Sequence, residues 1–164
     1  MSNEIPVVTD IVDCEKVIGK TLSNKEACDL VSNNAWWSTS RNWWYQGLVI
    51  TLCEIYQGFD ELRYLGETIA IVSPEVIDEK ISAITKLIAT IRHDTEPFLK
   101  ATAWYGATAQ EVRNNIEEAE VLRTLDDDCM HAFANFFSFL LSQKAALEEA
   151  KLSGKCLLYI QLLP

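Results

Sequence analysis

Tyr45-Gln46-Gly47-Leu48-Val49-Ile50-Thr51-Leu52-Cys53-Glu54-Ile55-Tyr56-Gln57-Gly58-Phe59-Asp60-Glu61-Leu62 is the stretch on which the fold class turns. Tyr45, Leu48, Leu52, Ile55, Phe59 and Leu62 recur at alternating spacings of three and four, which lays one apolar stripe along a single helix. Trp43, Trp44, Val49, Ile50, Cys53 and Tyr56 widen that stripe over most of the girth, so other elements must surround the helix. Gly47 and Gly58 each cost ~1 kcal/mol against Ala inside a helix, and close helix approach is the expected reason to tolerate them.

Helical signals continue downstream. Ser73-Pro74-Glu75 opens a helix striped by Ile77, Ile81, Ile84, Ile88 and Ile91. Asp94-Thr95-Glu96-Pro97 either kinks it or starts another in line, carrying Phe98, Leu99 and Trp104 as far as Gly106. Thr108-Ala109-Gln110-Glu111 is a capping box before Val112, Ile116, Ala119 and Leu122. Asp126-Asp127-Asp128 caps a last long helix over about 129–151, closed by Gly154 and lined by Met130, Phe133, Phe137, Leu140 and Leu141. Phe136 and Phe139 widen its arc, making it central or part of an oligomer interface.

Upstream, residues 9–20 read as a short helix ending at Gly19, and Ser23-Asn24-Lys25-Glu26 as a capping box for a second. Residues 156–164 are too apolar to stand in water and are expected to return to the core or cover a partner subunit. No stretch alternates with period two for long enough to argue a sheet. The expected fold is therefore all-α: an up-down bundle of about four long helices preceded by two short N-terminal helices. It forms one domain over 1–164, with short helices in 1–34, the bundle in 35–154 and the apolar tail in 155–164.

The chain has 164 residues, 49% of them hydrophobic, with only 4 Pro and 6 Gly, enough to build a packed core. Its net charge is −10, and residues 107–152 contribute −5 of it. Such a surface repels phosphates, which argues against nucleic-acid binding and leaves a basic protein as a natural partner. Glu54 is the only charge between Arg41 and Asp60, and 129–143 has none apart from His131. Polar residues interrupt both runs, and the second is too short to cross ~30 Å of hydrocarbon, so they read as core helices. Residues 1–6 lack the basic and apolar regions of a secretion signal. Five scattered cysteines without such a signal read as reduced thiols, and the expected location is cytoplasmic.

Candidate chemistry is sparse. There is no nucleophile elbow, phosphate loop or dinucleotide fingerprint, so an enzymatic role has no constellation to rest on and no cofactor is implied. Asp128 and His131 sit one turn apart, but a di-iron bundle needs that motif twice plus further glutamates. A mononuclear metal site could use His93, Asp94 and His131 if the two antiparallel arms bring the histidines level. Glu54, alone in an apolar helix, would act as a proton acceptor or cation grip if buried, and otherwise marks a narrow solvated stripe. Trp36, Trp37, Trp43 and Trp44 repeat at seven residues, either plugging one end of the bundle or anchoring an interface. The leading expectation is a non-catalytic protein acting through self-association, as a homodimer, or through another protein. The alternatives are a small-molecule or metal-binding bundle using Glu54, His93 and His131, and an acidic inhibitor that neutralises a basic partner through residues 111–128.

Overall fold

A four-stranded antiparallel sheet carries helices on both of its faces, so the all-α bundle expected from the periodicities is not the fold. The computed structural model describes residues 4–31, 37–42, 44–122 and 132–161. In chain order the elements are β1 (Glu4–Val12), α1 (Asn24–Leu30), β2 (Trp37–Asn42), α2 (Trp44–Ile55), β3 (Ile69–Val72), α3 (Pro74–His93), α4 (Glu96–Ala101), α5 (Ala109–Leu122), α6 (Ala132–Ser153) and β4 (Cys156–Gln161). Short 3-10 turns follow β1, at Cys14–Lys16, and α2, at Asp60–Gly66. Strand order is β2-β1-β4-β3, with every neighbouring pair antiparallel.

The missing period-two signal has a physical reason in β4. All six of its residues are buried. Leu157 and Tyr159 pack into the main core with α2, α3, α5 and α6, while Cys156, Leu158 and Ile160 pack with Val17 and Ala27 on the α1 side. A strand covered on both faces has no polar face to alternate with, so it reads as a plain apolar run. β1 is similar: Val7 and Ile11 join the main core and Val12 the smaller one.

Residues 9–20 are not the expected helix. Val7, Val8, Thr9, Ile11 and Val12 are β-branched, which favours strand, and β1 pairs with β4 from Val7↔Gln161 to Val12↔Cys156. The helix expected over 45–62 also stops early, at Ile55. Gln57 and Gly58 take positive φ values of 46° and 86°, ending the helical run, and the following 3-10 turn returns Leu62 and Leu65 to the core beside Phe59. The apolar spacing continues past the helix because the turn buries Phe59 and Leu62 as a helix would, whereas Ile55, at the helix end, is exposed. Close approach is not the role of Gly47 or Gly58, since a Cβ at either would meet nothing within 4 Å. It belongs to Gly66, where a Cβ would lie 2.7 Å from Ile50 Cδ1.

The helices on the larger face follow their stripes. Ile77, Ile84, Ile88 and Ile91 of α3 are buried. The chain breaks between α3 and α4, where the Thr95 hydroxyl donates to the Ile91 carbonyl at 2.7 Å. α1 starts at a capping box, with Glu26 N–H donating to Ser23 Oγ at 3.1 Å and Ser23 N–H to the Glu26 carboxylate at 3.2 Å. α5 keeps only the N-cap half, Glu111 N–H donating to Thr108 Oγ1 at 3.2 Å while the Thr108 hydroxyl donates to the Glu111 carboxylate at 3.1 Å. α6 lies between α3, α5 and the sheet, which explains why its apolar residues cover most of its circumference. Its aromatic end meets Phe98 and Tyr45: ring centroids are 5.1 Å apart for Phe98–Phe133 and 5.7 Å for Tyr45–Phe136.

Phe136 is fully buried and touches the rings of Tyr45, Phe98 and Phe137. Phe136→Ala is expected to cost about 3–5 kcal/mol of unfolding free energy, read from the urea midpoint at constant slope. A loss below about 1 kcal/mol would contradict this packing.

Candidate functional site

Three glutamines end up inside the protein. Gln46 lies in α2, Gln143 in α6 and Gln161 in β4, and all three are buried. Pairing of β1 with β4 sets Thr9 directly opposite Tyr159, on the sheet face that carries the larger helical layer. Gln143 Nε2 donates to Thr9 Oγ1 at 2.8 Å. The Tyr159 hydroxyl donates to the Leu65 carbonyl at 2.8 Å, and Gln161 Nε2 donates to the carbonyls of Leu65 at 3.1 Å and Glu67 at 2.9 Å. Tyr64 meets Tyr159 edge-on, with ring centroids 5.9 Å apart. The result is a polar seam between the sheet, α2, α6 and the 60–66 turn.

Part of that seam is idle. Both amide atoms of Gln46, Gln143 Oε1 and the Tyr64 hydroxyl are buried without a hydrogen-bond partner. The Gln46 amide lies close enough to Tyr159 to favour its ionised form slightly, yet reaches no hydrogen bond of ordinary geometry. Burial outweighs this and pushes the Tyr159 phenol well above the usual tyrosine range. Burial, and then the neighbouring Tyr159, do the same to Tyr64. Both phenols therefore stay protonated near neutral pH, and the seam presents neutral donors and acceptors. Its evident work is structural: Tyr159 and Gln161 fasten the end of the 60–66 turn to β4. The sequence signal was an amide inside an otherwise apolar run at Gln46 and Gln161, because a buried amide needs partners that its neighbours along the chain cannot supply; Gln143, between Ser142 and Lys144, carried no such signal.

Of the residues singled out by sequence, the described ones lie on several separate elements. Glu54 is exposed on α2, its carboxylate 4.0 Å from Arg63, which also pairs with Asp60 at 2.8 Å. His93 and Asp94 are exposed at the end of α3. The ends of α2 and α3 do meet, through Tyr56: its hydroxyl donates to the Asp94 carbonyl at 2.6 Å and accepts from the Phe98 N–H at 3.1 Å. Trp37 starts β2 and Trp44 starts α2. Trp36, Trp43 and His131 lie outside the described residues. Among the described residues, no three His, Cys, Asp or Glu side chains come together as a metal site would need. No helix of the described residues is long and apolar enough to cross a membrane.

Because both Gln46 amide atoms are buried without partners, Gln46→Met is expected to leave stability unchanged or raise it by up to ~1 kcal/mol. A loss of about 2 kcal/mol or more in urea denaturation would reveal a hydrogen-bonded role for the amide. Alkaline pH tests the buried acids together. Burial raises Cys53 from 9.0 to about 11 and Tyr56 from 10.0 to about 12, and Tyr64 and Tyr159 move in the same direction. Below pH 9 these groups are neutral in the folded and the unfolded chain alike; above it the unfolded chain releases protons that the fold retains. Thermal unfolding is therefore expected at a constant temperature near neutrality and at falling temperatures from about pH 9 to 11. A flat profile across that window would show these groups to be solvated.

Comparison of the chain with protein-family models, with curated proteins and with solved structures finds no match.

Proposed function

We propose that this protein acts by association, and that its first partner is a second copy of itself. The observation that carries the reading is an aromatic knob between α4 and α5. Trp104 is 65% exposed and Tyr105 42% exposed, whereas most large apolar side chains of this fold are buried. The knob is held in place: Tyr105 packs on Phe133 at 4.6 Å between centroids, and Trp104 stands edge-on to Tyr105 at 5.8 Å. A rigid aromatic pair loses little entropy when covered, which is why Trp and Tyr dominate interface hot spots.

Charge favours a second copy at this place. Two chains of net charge −10 repel each other, so a self-contact needs a surface poor in charge. Residues 101–110, Ala-Thr-Ala-Trp-Tyr-Gly-Ala-Thr-Ala-Gln, contain no charged side chain. A two-fold contact here would place the same uncharged patch on both subunits. A basic partner protein is the second reading, favoured by the exposed carboxylates of Glu111, Glu117 and Glu120 along α5. Such a complex would weaken steeply with added salt, whereas the aromatic self-contact would not.

Native mass spectrometry and sedimentation at micromolar concentration test the reading. A dimer is expected for the natural chain, and Trp104→Ala should raise its dissociation constant about thirtyfold or more. A chain that stays monomeric throughout that range, or a dimer indifferent to Trp104→Ala, would overturn this assignment.

A further inference from the structure

Cys14 and Cys156 are far apart in sequence and adjacent in space. The Cys156 thiol donates to Cys14 Sγ at 2.9 Å across a separation of 142 residues. The sheet causes this meeting. Val12 at the end of β1 is the register partner of Cys156 at the start of β4, and Cys14 follows two residues later, on the α1 side that Cys156 also faces. Independent contacts hold the same two segments together: Asp13 pairs with Lys155 at 3.5 Å, and the Cys14 sulfur lies 3.9 Å from the Gly154 carbonyl oxygen. Bonding the two sulfurs therefore asks for side-chain adjustment rather than movement of the strands.

We propose that Cys14 and Cys156 form a redox site, closing to an intramolecular disulfide when the protein meets a small-molecule disulfide such as oxidised glutathione. Cys14 is half-buried and Cys156 buried, so Cys14 is the thiol that meets the reagent. Its thiolate attacks one reagent sulfur, breaking the reagent's S–S bond and releasing the first small thiol. The Cys156 sulfur then attacks Cys14 Sγ in the mixed disulfide and expels the second small thiol. Two protein thiols are oxidised, one reagent disulfide is reduced to two thiols, and both protein protons leave on those thiols. Burial, followed by the bond to Cys14, pushes the Cys156 thiol up to about 12, so the second step quickens with rising pH. Cys53 is buried in the main core with its thiol donating to the Phe59 carbonyl at 3.2 Å, which keeps it out of this exchange.

The test uses the reduced, folded full chain incubated with oxidised glutathione and then digested without reductant. A peptide joining Cys14 to Cys156 is expected, with an intact mass lower by about 2 Da for the two hydrogens lost. The melting temperature should rise by about 5–15 °C, because the bond closes a very long loop, and dithiothreitol should reverse both changes. Cys14→Ser should abolish the link and leave Cys156 unmodified, while Cys156→Ala should accumulate a glutathione adduct on Cys14. The proposal is overturned by a stable adduct on Cys14 in the natural chain, by no reaction at all, or by a bond from either cysteine to Cys28 or Cys129.

Discussion

β4 must satisfy hydrogen bonds along both edges and bury side chains on both faces, and the rest of the molecule is arranged around that requirement. β1 and β3 supply the two edges. α1 and the segment after β1 cover one face, and the larger helical layer covers the other. Unpaired backbone groups in such a position would each cost on the order of 1–3 kcal/mol, so β4 is tolerated only where both neighbours are complete. α6 plays the matching part among the helices. It leads through Gly154, which takes a positive φ of 66°, directly into β4, so the helix that packs on α3, α5 and the sheet and the strand buried along its whole length are placed by a single turn.

The polar seam sits where these two elements meet. A wholly apolar junction would pack at least as tightly, but it would not fix which residue of the 60–66 turn faces β4. Hydrogen bonds from Tyr159 and Gln161 to the Leu65 and Glu67 carbonyls do fix it, since a shift of one residue would strand buried donors. The bond between Gln143 and Thr9 acts in the same way on α6 against β1. Specific alignment is the gain, and the idle amide of Gln46 is the part of the seam without such a return.

Helices with one wet face were legible in the sequence, and elements without one were not. α3 and α5 expose a polar side, so the spacing of Ile77, Ile84, Ile88 and Ile91, or of Val112, Ile116 and Ala119, marks them. β1 and β4 are enclosed, so their residues record only that they are buried, which a helix would record equally well. The break after Ile55 was hidden for a related reason: Phe59 and Leu62 are buried by a turn at intervals that suit a helix. The same limit applies to the sites. Glu54 stood out as a charge in an apolar run, yet its position on the helix leaves it in solvent beside Arg63. Gln46 and Gln161 occupy equally apolar runs and are buried, and only tertiary structure separates the two cases. The meeting of Cys14 with Cys156 depends wholly on strand register, which no local pattern encodes.

Strand order also governs how the chain can be made. A ribosome releases β1 first and β4 only after α2 to α6 have emerged, yet β4 belongs between β1 and β3. Until it arrives, β3, with the uncharged sequence Ile69-Ala70-Ile71-Val72, has its only described strand partner missing. Between the emergence of β3 and that of β4 the nascent chain therefore carries an apolar strand without this partner, together with an α6 that has only part of its sheet to lie on. Sheets closed by such distant pairings form slowly, and open edges of this composition recruit other chains. The length of chain between β3 and β4 therefore sets how long this edge stays open while the protein is made.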